Sequence, residues 1–449
     1  ILMVGVGVVT AAVGTGAAWL VAMHRFPGSR WLDYALLFPL AIPAYVGAYA
    51  LVDVLQYAGP LQTALRAAMG WQSARDYWFP EVRSEWFAIL VLSFALYPYV
   101  YLLARAAFRE QSGCSYEVAR ALGAGPWGLF GRVGLPLARP AIAAGVALAL
   151  METVADYGTV TYFGVQTLTT GIFSTWLNGG NAGGAAQIAG VIMTLIFLLV
   201  AMERISRRNA RFHRPARHAR PIEPQTLTGW RAALAVGLCV VPFLFGFVLP
   251  VGVMLTHAFD RPDVWIAPGL GSAALNTLIV GGTAALITVG AALFLVYGVR
   301  MAGRGLARLI LPVTLLGYAA PGAVLAVGLL VPLAALDHRV ADTILALTGT
   351  DPGLLLTGTS AAIVLAYVVR FFGIAQGAVD SAFGRISPSL PMAARSLGEG
   401  NGGTLRRLYL PLMRGSVASA LLVVLKSSTR SVSEVTPSSF ARSPRIAKA

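Results

Sequence analysis

Apolar runs recur along the chain, separated by short polar or basic stretches, and several exceed the roughly 20 residues needed to cross a bilayer core of about 30 Å. The pattern predicts ten membrane spans at about residues 1–23, 34–56, 86–107, 138–155, 186–202, 231–256, 276–298, 309–335, 356–372 and 415–426. The connecting stretches orient them. Arg25 and Arg30 follow the first span, and Arg105, Arg109, Arg120, Arg132 and Arg139 follow or flank the third. Neither Lys nor Arg occurs between Arg139 and Arg204. Arg204, Arg207, Arg208, Arg211, Arg214, Arg217 and Arg220 then crowd one linker. Basic loops stay in the cytoplasm, so these face inward and residues 156–185 face outward. Tyr77, Trp78, Phe79, Trp86 and Phe87 gather where the third span enters from outside, as an interfacial aromatic belt does.

Composition strengthens this reading. Of 449 residues, 57% are hydrophobic and only 12% charged, with a mean hydropathy of +0.71, whereas soluble domains carry about 25% charge. The expected fold is therefore all-α and polytopic. The formal charge of +15 invites a nucleic-acid reading, but the arginines sit in short stretches between apolar runs, which is the orienting pattern of membrane helices. No nucleic-acid partner is expected. Cys114 and Cys239 lie in no motif and imply neither a disulfide framework nor a metal site. The sequence opens on Ile1 with no basic segment ahead of an apolar one, so no signal peptide is recognised.

The Arg- and Pro-rich linker divides the chain into halves, and the halves repeat. Ala119-Arg120-Ala121-Leu122-Gly123 corresponds to Ala394-Arg395-Ser396-Leu397-Gly398, 275 residues later. At the same offset Leu135-Pro136-Leu137 meets Leu410-Pro411-Leu412, Arg132 meets Arg407 and Arg139 meets Arg414. Upstream, Ala41-Ile42-Pro43 lies opposite Ala319-Ala320-Pro321. Six predicted spans separate the two copies, an even number, so both face the cytoplasm and the repeat is parallel rather than inverted. Each copy is too long and too patterned for a simple connector. It predicts a short helix ending at Gly, a turn, and a second short helix stopped at Leu-Pro.

At these residues the chain resembles the EAA loop of ABC importer permeases (Glu-Ala-Ala, three residues, Gly, then an apolar approach to Leu-Pro). Glu117, Ala119, Gly123, Leu135 and Pro136 match in the first copy, and Ala393, Ala394, Gly398, Leu410 and Pro411 in the second. The second copy has Met392 in the place of the acid and Pro391 before it. The resemblance implies a coupling helix that docks on a separate ATP-binding subunit, its small side chains permitting close approach. Two ordinary amphipathic loops left by a duplication are the alternative.

Two such loops in one chain, with Phe38-Pro39-Leu40-Ala41-Ile42-Pro43-Ala44-Tyr45 and Met151-Glu152-Thr153-Val154-Ala155-Asp156-Tyr157-Gly158, followed by Thr169-Thr170-Gly171-Ile172, look like a ferric-iron permease. That resemblance extends to about residue 425. Permeases for thiamine, phosphonate or polyamine share much of it. It implies two (MetI-like) halves in a bacterial inner membrane, a pair of ATP-binding cassette subunits, a periplasmic binding protein and no cofactor. The domains so drawn are a first permease half at 1–205 with its loop at 115–140, a cytoplasmic linker at 206–229, a second half at 230–426 with its loop at 388–415, and an atypical, disordered or truncated tail at 427–449. A family plan of twelve spans, six in each half, would leave this chain without its first and last.

Glu152 and Asp156 are candidates for the translocation path. They stand four residues apart at the outer end of a span, on one face if the helix continues, and acids at membrane depth are costly and usually functional. Capping of the helix at the wet interface is the competing reading, and Asp53 takes it more firmly. His24, His213, His218, His257 and His338 are scattered and read as solvated. Gly5 and Gly7 read as helix packing rather than as a nucleotide fingerprint. The phosphate-cradling Gly-x-x-x-x-Gly-Lys-Ser/Thr pattern is absent, and Lys426 and Lys448 are the chain's two lysines. ATP hydrolysis is expected on a partner, and this chain is not expected to be an enzyme. An ion-gradient transporter would instead show buried midplane acids and often inverted repeats. A membrane enzyme would need a catalytic constellation, which the sequence lacks.

Overall fold

The computed structural model describes residues 1–208, 224–302, 320–387 and 389–435, together with Thr314 and Gly317. Among them, nine helices are long and apolar enough to cross a membrane: α1 (Leu2–Met23), α5 (Glu85–Arg109), α7 (Pro126–Ala155), α10 (Ala182–Met202), α11 (Gly229–Asp260), α12 (Leu270–Met301), α13 (Gly322–Thr348), α14 (Ser360–Gly384) and α16 (Asn401–Thr429). Shorter helices are α2 (Ser29–Ala35), α3 (Ala44–Leu55), α4 (Pro60–Met69), α6 (Gly113–Ala121), α8 (Gly158–Tyr162), α9 (Leu168–Phe173) and α15 (Ser389–Ser396). The first part of the run expected at 309–335 lies outside the described residues, and α13 covers the rest and continues to Thr348.

The span expected at 34–56 is not one helix. Ser29–Ala41 and Ala44–Met69 meet at 95°. The cause is local: Ile42 is extended because it precedes proline, and Pro43 (φ −61°, ψ 140°) brings no N–H with which to continue the preceding turn. With this bent pair counted as one span the total is ten.

Proline acts differently elsewhere. Leu-Pro of the two loops is expected to stop one helix and start another, yet α7 and α16 run through it, as α11 does at Leu249-Pro250. Each has a π-helical stretch immediately before, at Leu129–Gly134, Leu244–Val248 and Thr404–Tyr409. The leucines that follow, Leu135, Leu249 and Leu410, donate their N–H to the carbonyls of Phe130, Leu244 and Leu405, five residues back. A widened turn tolerates the ring and the missing donor of Pro136, Pro250 and Pro411 where a regular turn would clash.

The chain divides into two compact units, residues 1–174 with 190–265, and 175–189 with 266–449. α11 therefore packs with the first unit, although it follows the linker. Residues 209–223 of that linker lie outside the described residues; just beyond them Gln225–Thr226 pairs in parallel with His24–Arg25, and the Leu227 N–H reaches the Arg25 carbonyl at 2.8 Å. In the first unit α5 sits between α1 and α7. A Cβ on Gly14 would lie 2.7 Å from the Val100 Cβ, and one on Gly145 2.6 Å from the Val100 Cα, so both helices approach α5 backbone to backbone. Gly5 packs against Ile89 and Gly7 against Leu150, as helix-packing glycines do. In the second unit α12, α14 and α16 bury Ala285, Val296, Phe371, Phe383, Met413 and Val424 together. The final helix continues as Leu410–Val435, past residue 427 where the atypical tail was expected to begin, and Ser428 is buried on it. Residues 436–449 lie outside the described residues.

Candidate functional site: the two repeated loops

Both repeated segments close their short helix in the same way. In the first, the N–H groups of Leu122, Gly123 and Ala124 bond to the carbonyls of Val118, Arg120 and Ala119 at 3.0, 2.9 and 2.9 Å. In the second, Leu397, Gly398 and Glu399 bond to Ala393, Arg395 and Ala394 at 3.1, 3.0 and 3.0 Å. Gly123 has φ +82° and Gly398 φ +85°, the left-handed conformation that reverses the chain after a helix and that other residues adopt only with strain. Gly125 and Gly400 then cap the following helix through the N–H groups of Leu129 and Thr404, both at 2.9 Å.

Each loop offers an apolar tip. Leu122 is 83% exposed and Leu397 85%, and they are the equivalent residue of each copy; Trp127 is 86% exposed beside the first. Large apolar side chains exposed on a glycine-closed turn make each tip a candidate docking surface. Glu117 is exposed on α6 with Ala119 half-buried behind it, and Ala393 and Ala394 repeat that arrangement on α15. Met392, exposed, stands where the acid is in the first copy. Leu135 with Pro136, and Leu410 with Pro411, lie exposed at the ends of the π-helical stretches.

An aromatic clasp holds each loop to its helices. Trp19 of α1 lies 5.2 Å from Phe108, 5.1 Å from Phe130 and 6.1 Å from Tyr116. The buried Tyr116 donates its hydroxyl to Gln111, whose amide reaches the Gly134 carbonyl at 3.1 Å. In the second unit Tyr297 packs with Phe383 and Tyr409, and its hydroxyl reaches the Asn401 carbonyl at 2.6 Å. Phe383 is the counterpart of Phe108 at the 275-residue offset. Sequence reasoning missed these aromatics because Trp19 and Tyr297 lie in spans and their partners in or near the loops, and no local pattern shows that they meet.

The approach to the first loop is also braced electrostatically. Asp33, 7% exposed on α2, pairs with Arg105 and with Arg109 (2.9 Å), and the Tyr101 hydroxyl donates to its carbonyl at 3.0 Å. Burial and the neighbouring Arg120 push the imidazole of His24, beside Trp19, below the usual histidine range. His24 is half-buried, not solvated as expected from its place in a loop.

The outer acids do not form one helical face. α7 ends at Ala155, and Asp156 turns extended (φ −67°, ψ 128°). Its carboxylate accepts from the Thr159 N–H at 3.0 Å and the Val160 N–H at 3.1 Å, capping α8; Glu152 stays half-buried on α7. Asp53 and His257, both set aside as interfacial or solvated, meet: His257 Nε2 lies 3.0 Å from Asp53 Oδ2. His338 contacts the Ala334 carbonyl, and His213 and His218 lie outside the described residues.

Fold and loops together define a class: a polytopic α-helical permease with two repeated loops, each closed by a glycine beside an exposed leucine. Residues 13–211 match the family of binding-protein-dependent transport system inner membrane components. The chain belongs to this family. It is 25% identical, over 94% of its length, to the Fe(3+)-transport system permease protein FbpB 2 of Haemophilus influenzae, 77% of which is covered. It is 30% identical to the molybdenum transport system permease protein ModB of Escherichia coli over 43% of this chain and 85% of that protein. The E. coli sulfate transport system permease protein CysT is 30% identical over 32% of this chain and 49% of its own. The protein is thus a multi-pass inner-membrane permease of the ABC importer type.

Proposed function

We propose that this permease passes ferric iron, delivered by a periplasmic binding protein, across the inner membrane while two separate ATP-binding subunits dock on the loops around Gly123 and Gly398. The observation that carries the coupling role is the identical hydrogen-bonded closure of the two loops, with Leu122 and Leu397 exposed at equivalent tips. A partner that closes on nucleotide would pull on both loops, and the aromatic clasps would carry that motion into α1, α5, α12 and α14. Iron is supported by likeness over 94% of the chain to a Fe(3+) permease. An oxyanion substrate is the second reading, favoured by the 30% identity to a molybdenum permease over a shorter stretch.

The test is reconstitution of the permease in proteoliposomes with its ATP-binding and periplasmic partners. ATP-dependent uptake of ferric iron, lost when either partner is omitted, is the expected result. Uptake of molybdate or sulfate in place of iron would favour the second reading. Uptake by the permease alone without ATP would refute the coupling role.

A further inference from the structure

We propose that Asp53, His257, Tyr49 and Tyr162 form an entry site on the outer side of the first unit that holds a trivalent hard cation on its way into the permease. The proposal rests on the ferric-iron reading of the substrate and names where that ion would first be received.

Three elements bring the four groups together. Tyr49 and Asp53 stand four residues apart on α3 and so share a face. His257 comes from the outer end of α11, more than 200 residues away, and Tyr162 closes α8. The Tyr49 ring centre lies 6.0 Å from that of His257 and 6.2 Å from that of Tyr162, and the Asp53 carboxylate is 3.0 Å from the imidazole. The Arg83 guanidinium lies 5.3 Å from the Tyr162 ring centre. The groups are half-buried or exposed rather than sealed in a core, so an ion arriving from outside can reach them.

The donor chemistry selects the cargo. Among the described residues no three His, Cys, Asp or Glu side chains converge on a metal position, so a site here depends on the phenols. One carboxylate and two phenolates carry three negative charges, which balance a trivalent cation, while the imidazole adds a neutral nitrogen. A strongly polarising trivalent ion displaces phenolic protons more readily than a singly charged ion does. The spacing also fits. Metal–oxygen and metal–nitrogen bonds of about 2.0–2.1 Å at a right angle place the two donor atoms about 2.9 Å apart. Asp53 Oδ2 and His257 Nε2 already stand 3.0 Å apart, so both can serve adjacent positions of an octahedron. The neighbouring Tyr49 and Tyr162 rings supply the phenols for further positions. An oxyanion would instead meet the Asp53 carboxylate and be repelled.

The experiment uses the full-length permease in nanodiscs, titrated with ferric nitrilotriacetate and followed by visible absorption. Tyrosinate bound to ferric iron gives a charge-transfer band that carboxylate and imidazole alone do not. The expected result is such a band saturating near one ion per permease. Tyr49→Phe and Tyr162→Phe should each weaken it and lower affinity by about tenfold or more, and the double variant should lose it. Absence of the band from the wild type, or its persistence in the double variant, would overturn the site. Iron uptake by the assembled wild-type importer separates the two ideas. Uptake without the band rejects the entry site alone, whereas no uptake rejects the ferric-iron reading beneath it.

Discussion

At the scale of single residues, Gly123 and Gly398 show how a conformation can matter more than a contact. A Cβ on either would meet nothing within 4 Å, so a substitution there acts through backbone strain alone. Gly123→Ala should therefore cost about 1 kcal/mol of local stability, while Gly123→Leu should abolish assembly with the ATP-binding subunit and leave membrane insertion intact. Co-purification of the assembled complex checks this, and normal co-purification of the leucine variant would remove the docking role. Gly14 and Gly145 present the opposite case, since backbone atoms of α5 fill the space a side chain would need. Gly145→Val should destabilise the permease by about 1–3 kcal/mol, read as a lower melting temperature in detergent. His24 predicts a pH dependence. Its native imidazole is held below the usual range by burial first and by Arg120 second, so the fold favours the neutral ring. That contribution is complete above pH ~6.5 and is lost as pH falls through the unfolded value toward the lower native one. Melting curves between pH 8 and pH 5 should show a decline that His24→Gln removes.

Among the elements, the π-helical stretches ahead of Pro136, Pro250 and Pro411 explain why a motif that reads as a helix stop is a helix continuation. The sequence marks the proline, but the extra residue in the turn before it is visible only when the chain is threaded between neighbours. One residue added to a helix turns everything beyond it by about 100°, so these stretches set the direction in which each loop tip points. Pro136→Ala should let the regular i→i−4 pairing return and rotate the first loop. ATP-dependent transport should fall severalfold with little change in melting temperature, because the span itself is retained. The break at Pro43 belongs to the same class: hydropathy registers the run at 34–56 but not its 95° bend.

For the whole molecule, the two loops are alike in backbone and unlike in charge. Glu117 faces outward on the first loop, whereas Met392 takes its place on the second and Glu399, one residue after the turn, pairs with Arg407 there. Two ATP-binding subunits would therefore meet different surfaces. Glu117→Ala should reduce permease-stimulated ATPase activity more than Met392→Ala does; equal losses would show that the acid has no part in docking.

Most of the helical spans, the repeated loops and the two turning glycines were legible in the sequence. Each of these is local: bilayer transfer free energy sums over consecutive residues, and a positive φ needs glycine wherever the chain lies. Which polar groups meet depended on the packed fold. Asp33 finds Arg105 more than 70 residues on, α11 packs with the first unit across the linker, and Asp53 finds His257 204 residues away. These pairings depend on how helices close around one another, and that closure is set by backbone approach at glycines such as Gly14 and Gly145. No local pattern of apolar and polar residues encodes it.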